Sequence, residues 1–307
     1  RTVRQSTRDN QTFIKELDIA IRRSVTWALG MTAVYGSLRK LQEGVGFIQE
    51  LDKELTQISV ITGKTRSETR QLAQEYADLG EELNRTVTDI SAVNTELVRQ
   101  GLSMEEAENR LQTVMKLNAV SGIDTDVKDT LKIITSSVNA MGEDAERAAD
   151  IILKSSQISA SSVEEIGEAF TKVASSAKTS GMDMTQSSAI LAGLLEVTQE
   201  SASSLGNSLK TLIARFNKIN EETGETNEEL NDVQKAFESV GIAFTDTHGQ
   251  IRPVYDLFSD MSAIWSTLDK NTKNYIATMA AGVRQQNRFF AIMDNMERIN
   301  EIQEDLT

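Results

Sequence analysis

Apolar residues along this chain recur at intervals of three and four through most of its length, the period of a helix that buries one face. Breaks in the pattern carry helix-ending chemistry. Gly80, Gly101, Gly122, Gly142 and Gly181 each follow a helical run, where a residue free to turn left-handed closes the last turn. Helix starts carry the matching signal. Thr65-Arg-Ser-Glu68, Ser103-Met-Glu-Glu106, Ser161-Ser-Val-Glu164, Asp183-Met-Thr-Gln186 and Thr226-Asn-Glu-Glu229 each fit the capping box, in which the first side chain caps an orphan N–H and the fourth reaches back. These marks predict helices over 67–79, 87–100, 104–120, 126–141, 143–157, 163–179, 184–198 and 202–219. Successive starts are roughly 17–22 residues apart. Short connections make consecutive helices antiparallel neighbours, so the chain is expected to be all-α, a stack of antiparallel helices without a true sequence repeat.

Both ends differ from this middle. Residues 11–60 contain no proline and read as one long helix, with Ile14, Leu17, Ile21, Val25 and Ala28 on one seam. After a slip, Val34, Leu38, Leu41, Val45 and Ile48 resume it. Near the other end Phe289, Ile292, Met296, Ile299 and Leu306 keep a heptad-like seam broken by Gln303. Such seams pack against their own domain or wind with copies of themselves, so these residues are candidates for an oligomer or partner interface. The expected organisation is a coiled-coil-like N-terminal helix over 1–60, a helical domain over 61–282 and a C-terminal helix over 283–307 that continues as a coil in a longer parent protein.

One stretch breaks the helical period. In Ile242-Ala-Phe-Thr-Asp-Thr-His-Gly-Gln-Ile251, alternating apolar residues flank a polar turn with Asp246 and Gly249, which predicts a small β-hairpin near 242–252. Pro253, the single proline, suits the first turn of a helix through Tyr255, Leu257, Phe258, Met261 and Trp265. His248, the single histidine, falls on the turn and is expected to be exposed.

Composition narrows the classes. Hydrophobic residues make up 39% and aromatics 5%, so the core is built from Leu, Ile, Val, Ala and Met, a mixture that favours helices. The absence of cysteine excludes disulfides, thiolate metal sites and cysteine nucleophiles. No apolar run is long enough for a transmembrane helix. The net charge is −14, unevenly spread: residues 1–50 carry 8 Lys+Arg against 5 Asp+Glu, and residues 51–307 carry 24 against 41. An acidic body of that kind disfavours tight nucleic-acid binding, and it also keeps a protein soluble.

Candidate chemistry is thin. Gly63-Lys64-Thr65 resembles the end of a phosphate-binding loop, but Ile58 stands where that motif needs glycine, so a helix–helix turn with Thr65 as cap is the better reading. One histidine does not complete a metal site or a triad. The acidic pairs Glu81-Glu82, Glu105-Glu106 and Glu164-Glu165 are placed by the pattern near helix starts, where carboxylates meet the positive end of the macrodipole. No enzyme, cofactor or metal is expected. Gly63, Thr65, Gly101, Ser103, Ser161, Gly181, Asp183, Gly249 and Pro253 are assigned to structural turns and caps.

Six stretches in order resemble the conserved domain of tape-measure proteins from long-tailed bacteriophages. They are Asp52–Thr65, Leu97–Glu106 with the helix to Gly122, Ser159–Phe170, Ser180–Leu194, Gly241–Leu257, and Ala280-Ala-Gly-Val-Arg-Gln-Gln-Asn287. The resemblance covers about residues 50–295. It implies a structural protein of the virion tail, in the tube lumen and, during assembly, in the host cytoplasm. Such a protein helps set tail length and leaves at DNA ejection. Implied partners are further copies of the chain (a trimer fits the family), tail-tube and tail-tip proteins, and a tail-assembly chaperone. A cellular helical adaptor or secretion-related scaffold shares the composition and caps, yet gives no reason for six ordered motifs. Some tape measures also carry peptidoglycan-cleaving domains, but no such site is recognisable here.

Overall fold

A computed structural model describes residues 37–83, 85–121, 126–217 and 231–307. The described residues form helices α1 (Ser37–Thr62), α2 (Arg66–Leu83), α3 (Val87–Arg99), α4 (Met104–Ser121), α5 (Val127–Met141), α6 (Ala145–Ile158) and α7 (Val163–Thr179). They continue with α8 (Met184–Thr198), α9 (Ala202–Phe216), α10 (Asn231–Glu238), α11 (Val254–Trp265), α12 (Lys270–Asp294) and α13 (Met296–Leu306). The protein is all-α, and the chain divides into two compact units, one up to Val120 and one from Ser121.

In the first unit α1 packs on α3 and α2, and α2 on α3. Leu51, Leu55 and Ile58 recur at helical spacing on α1, and all three are buried, so this end of the long helix packs into its own unit. The α1–α2 turn bends at Gly63 (φ 70°), and Thr65 opens α2. The Thr65 amide donates to Glu68 Oε2 at 2.7 Å, and the Glu68 amide donates back to Thr65 Oγ1 at 3.4 Å. Ser103 and Glu106 repeat the arrangement at the start of α4. Gly80 does not end a helix as expected: α2 runs on to Leu83. A Cβ there would come within 2.6 Å of the Arg85 carbonyl, so glycine is required by the close return of the chain. Consequently Glu81 and Glu82 lie in the last turn of α2, the opposite end from the one the pattern suggested.

The second unit condenses around α8. Met184, Ala189, Ile190, Leu191, Ala192, Leu194 and Leu195 are all buried, covering most of the helix circumference. Helices α6, α7, α9, α12 and α13 surround it. Small residues let these helices approach: Gly193 lies against Ile299 of α13, and Gly206 of α9 lies against the Ala169 backbone of α7, with no room for a Cβ. A run of aromatic rings closes one side. Phe216 meets Phe237 at 5.3 Å and Phe258 at 5.2 Å between centroids, and Phe289 meets Phe258 and Trp265 at 5.9 Å each, all edge to face.

Helix starts here follow the sequence closely, with one shift of register. Asp183 and Gln186 form the capping box of α8. On α7 the box is Ser162 with Glu165, not Ser161 with Glu164. Ser161-Ser-Val-Glu-Glu165 contains the motif in both registers, and the chosen one accompanies burial of Val163 and Ile166. The expected hairpin is not a sheet either. Among the described residues there is no strand; a single antiparallel bridge joins Thr245 and Ile251. The Asp246 amide donates to the Gln250 carbonyl at 2.8 Å, and Asp246 Oδ1 accepts from the His248 and Gln250 amides at 2.8 Å each. The turn chemistry was legible, but the flanks diverge: Ile242 and Phe244 are buried in the unit, while Pro253 opens α11. The C-terminal segment over 283–307 comprises the end of α12 and all of α13, separated at Asn295.

Candidate functional site

The interface candidates fall in two places. Ile14, Leu17, Ile21, Val25 and Ala28 lie outside the described residues. Phe289, Ile292, Met296, Ile299 and Leu306 are placed in the core of the second unit, the most exposed of them at 4%. In this fold that seam covers α8 and the aromatic rings of its own unit.

Polar side chains staple the same segment. Arg288 pairs with Glu200, its Nε donating to Oε1 at 3.2 Å, and also reaches Ser204 Oγ at 3.2 Å. Arg298 donates to the Ile158 carbonyl at 2.6 Å, which serves the C-terminal end of α6, and faces Glu196 Oε2 at 3.5 Å. Tyr255 donates its hydroxyl to Asn300 Oδ1, and Trp265 donates Nε1 to Asp294 Oδ1, both at 2.8 Å. Burial holds the Tyr255 hydroxyl well above the usual phenol range. None of these partnerships is visible in local sequence pattern, because the partners are 29 to 140 residues apart.

The turn and cap residues sit as junction pieces. Gly101 (φ 94°), Gly181 (φ 75°) and Gly249 (φ 79°) take the left-handed conformation, and Gly181 packs on the Pro253 ring. The Val254 amide donates to the Ser180 carbonyl at 3.2 Å, tying the α7–α8 turn to the start of α11. Two of the three acidic pairs serve helix starts: Glu106 and Glu165 are capping-box acceptors. Hydrogen bonds from Ser103 and Thr65 hold the Glu106 and Glu68 carboxyls below their usual range. Glu108 shifts the other way, raised by burial and by Glu75. Buried Tyr76 accepts from Asn94 Nδ2, and burial raises its hydroxyl strongly.

His248 stands on the exposed turn, 3.9 Å from Asp246. Among the described residues no three His, Cys, Asp or Glu side chains are arranged to hold a metal ion, and no helix is long and apolar enough to cross a membrane. Charge is divided between the units. Up to Val120 the sequence has 16 Lys+Arg against 17 Asp+Glu; from Ser121 it has 16 against 29.

The chain matches the family model described as phage-related minor tail protein over residues 73–282. The chain belongs to that family, and it is a structural protein of a phage tail. It is similar to the tape measure protein of Pneumococcus phage Dp-1, at 21% identity over 248 residues, which is 80% of this chain and 20% of that protein. The chain therefore spans about a fifth of the length of the curated relative it matches. No solved structure matches it.

Proposed function

We propose that this chain is the folded helical module of a tape-measure protein, which occupies the tail-tube lumen, helps set tail length and is released at DNA ejection. The observation that carries this reading is the alignment to the Dp-1 tape measure protein across 80% of the chain. Measuring itself belongs to long helix, because about 1.5 Å of rise per residue converts residue number into distance. Each of the two units is itself a compact body and not a rod, and the role of the region over 61–282 is to start assembly and dock tail-tip or tube proteins, with a tail-assembly chaperone and further copies of the chain as partners. The excess of acid from Ser121 onward suits a lumen filler that must give way to DNA.

Electron microscopy of tails from phage carrying an in-frame deletion of residues 65–295 tests the reading. Absent tails, or tails of scattered length, are expected if the module starts assembly; uniformly shortened tails mean that it contributes length directly. Normal tails of unchanged length would refute the proposal. Tight binding of duplex DNA at physiological salt would refute the part assigned to the acidic surface.

A further inference from the structure

Helix α12 contains a break that its sequence does not announce. Gly282 has φ 69° and ψ 166°, while the residues before and after it are helical. That region of backbone space is open essentially to glycine alone. A Cβ on Gly282 would also lie 2.9 Å from Arg215 Nη2 and 3.1 Å from its Cζ. Arg215 Nη1 donates to the Met279 carbonyl at 3.1 Å. In an unbroken helix that carbonyl would accept the Val283 amide four residues on. In the kinked form Arg215 serves the Met279 carbonyl in place of a main-chain donor, and a straight α12 would return that carbonyl to the Val283 amide. The flanking Ala280-Ala281 and Arg284-Gln285-Gln286 are good helix formers.

Everything beyond the break is an arm, residues 283–306, docked on the rest of the unit. Its buried side chains include Phe289, Ile292, Met293, Met296 and Ile299, and Ile299 fills the notch left by Gly193. Arg288 with Glu200 and Arg298 with Glu196 latch it from outside. An arm this apolar does not leave for water. It can leave for an identical seat on another molecule, where every contact is recovered.

We propose that Gly282 is the hinge of a domain-swapped self-association, in which α12 straightens and residues 283–306 of one chain dock on α8 of a second copy. Straightening restores the Met279–Val283 hydrogen bond and releases Arg215. The swapped seat reproduces the Arg288–Glu200 and Arg298–Glu196 pairs between chains. Swapping supplies a route to the self-association proposed above, and it would join copies through the unit that α8 organises.

The test uses the full chain, whose lack of cysteine makes added thiols unambiguous. With Glu200→Cys and Arg288→Cys together, a short bis-maleimide bridges the two positions within one chain in the closed form and between chains in the swapped form. Refolding across a range of protein concentrations, then bridging, should yield covalent dimer whose share rises with concentration. Adding Gly282→Ala should raise that share about tenfold or more, because the closed hinge is penalised and the straight helix is not. Association through any other surface leaves the bridge inside one chain. Bridges confined to single chains at every concentration, with the natural hinge, would overturn the proposal; this arm decides even if Gly282→Ala does not fold. Such a result would leave the tail-length experiment unaffected, so the two proposals fail separately.

Discussion

The two units use the same helix-start and helix-stop chemistry but fill their interiors differently. In the first unit the described core is aliphatic, its one buried aromatic is Tyr76, and two amides, Asn94 and Asn118, are buried with it. In the second unit Phe170, Phe216, Phe237, Phe244, Phe258 and Phe289 are buried, and the buried polar side chains are hydroxyls of Ser and Thr. Two of them return to their own helix, Ser137 to the Ile133 carbonyl and Ser155 to the Ile151 carbonyl. Charge differs as well, near balance before Ser121 and strongly acidic after it. The comparison teaches that capping boxes and left-handed glycines decide where helices begin and end, while core composition decides how they are held. Aromatic rings and close glycine contacts hold the second unit; the first relies in part on a buried polar pair.

The sharpest way to break this contrast is to remove a ring. Phe216 meets three other phenylalanines, so Phe216→Ala should destabilise the protein by about 3–5 kcal/mol in denaturant titration. A loss below about 1 kcal/mol would mean that the rings are not packed as described. The matching change in the first unit is smaller. Tyr76→Phe leaves Asn94 Nδ2 buried without its acceptor, at a cost of about 1–3 kcal/mol by the same titration.

Smaller again is the effect at a helix start. Ser162→Ala should cost about 1 kcal/mol by removing the α7 cap, while Ser161→Ala should be close to neutral. Equal costs, or the reverse order, would restore the register read from the sequence. The smallest effect is one of pH. Glu68 and Glu106 have folded pKa values below those of the unfolded chain, so their stabilisation is complete above the usual carboxylate range of about 4.3 and fades as pH falls through the folded values. Glu108 is raised instead, so its ionised form opposes folding near neutral pH and the opposition is relieved as pH falls. Thermal melting should therefore show Glu108→Gln gaining stability at neutral pH and Glu106→Gln losing it, with both differences shrinking in acid.

Much of the helix order was legible. The predicted helix over 184–198 coincides with α8 because Asp183 and Gln186 form the expected box and apolar residues fill the span between. What was missed depends on distant residues. Gly80 reads locally as a stop, and only the return of the Arg85 carbonyl explains why it lies inside α2. Gly282 sits in Ala-Ala-Gly-Val, which reads as continuous helix, and the residue that holds its kink is 64 positions away from Met279. The seam from Phe289 to Leu306 was visible as a periodicity, but period alone does not say which surface it meets; Gly193 and the rings of Phe258 and Trp265 do. The hairpin failed because turn residues fix a turn, whereas a sheet needs paired flanks.

The second unit is organised by one helix, α8, buried on nearly all sides. Amide hydrogen exchange of the full chain, read residue by residue, tests it directly. Amides of Ile190 to Leu194 should exchange only through global unfolding of that unit and be its slowest, slower than those of α13. Exchange of α8 as fast as that of α13 would contradict the account.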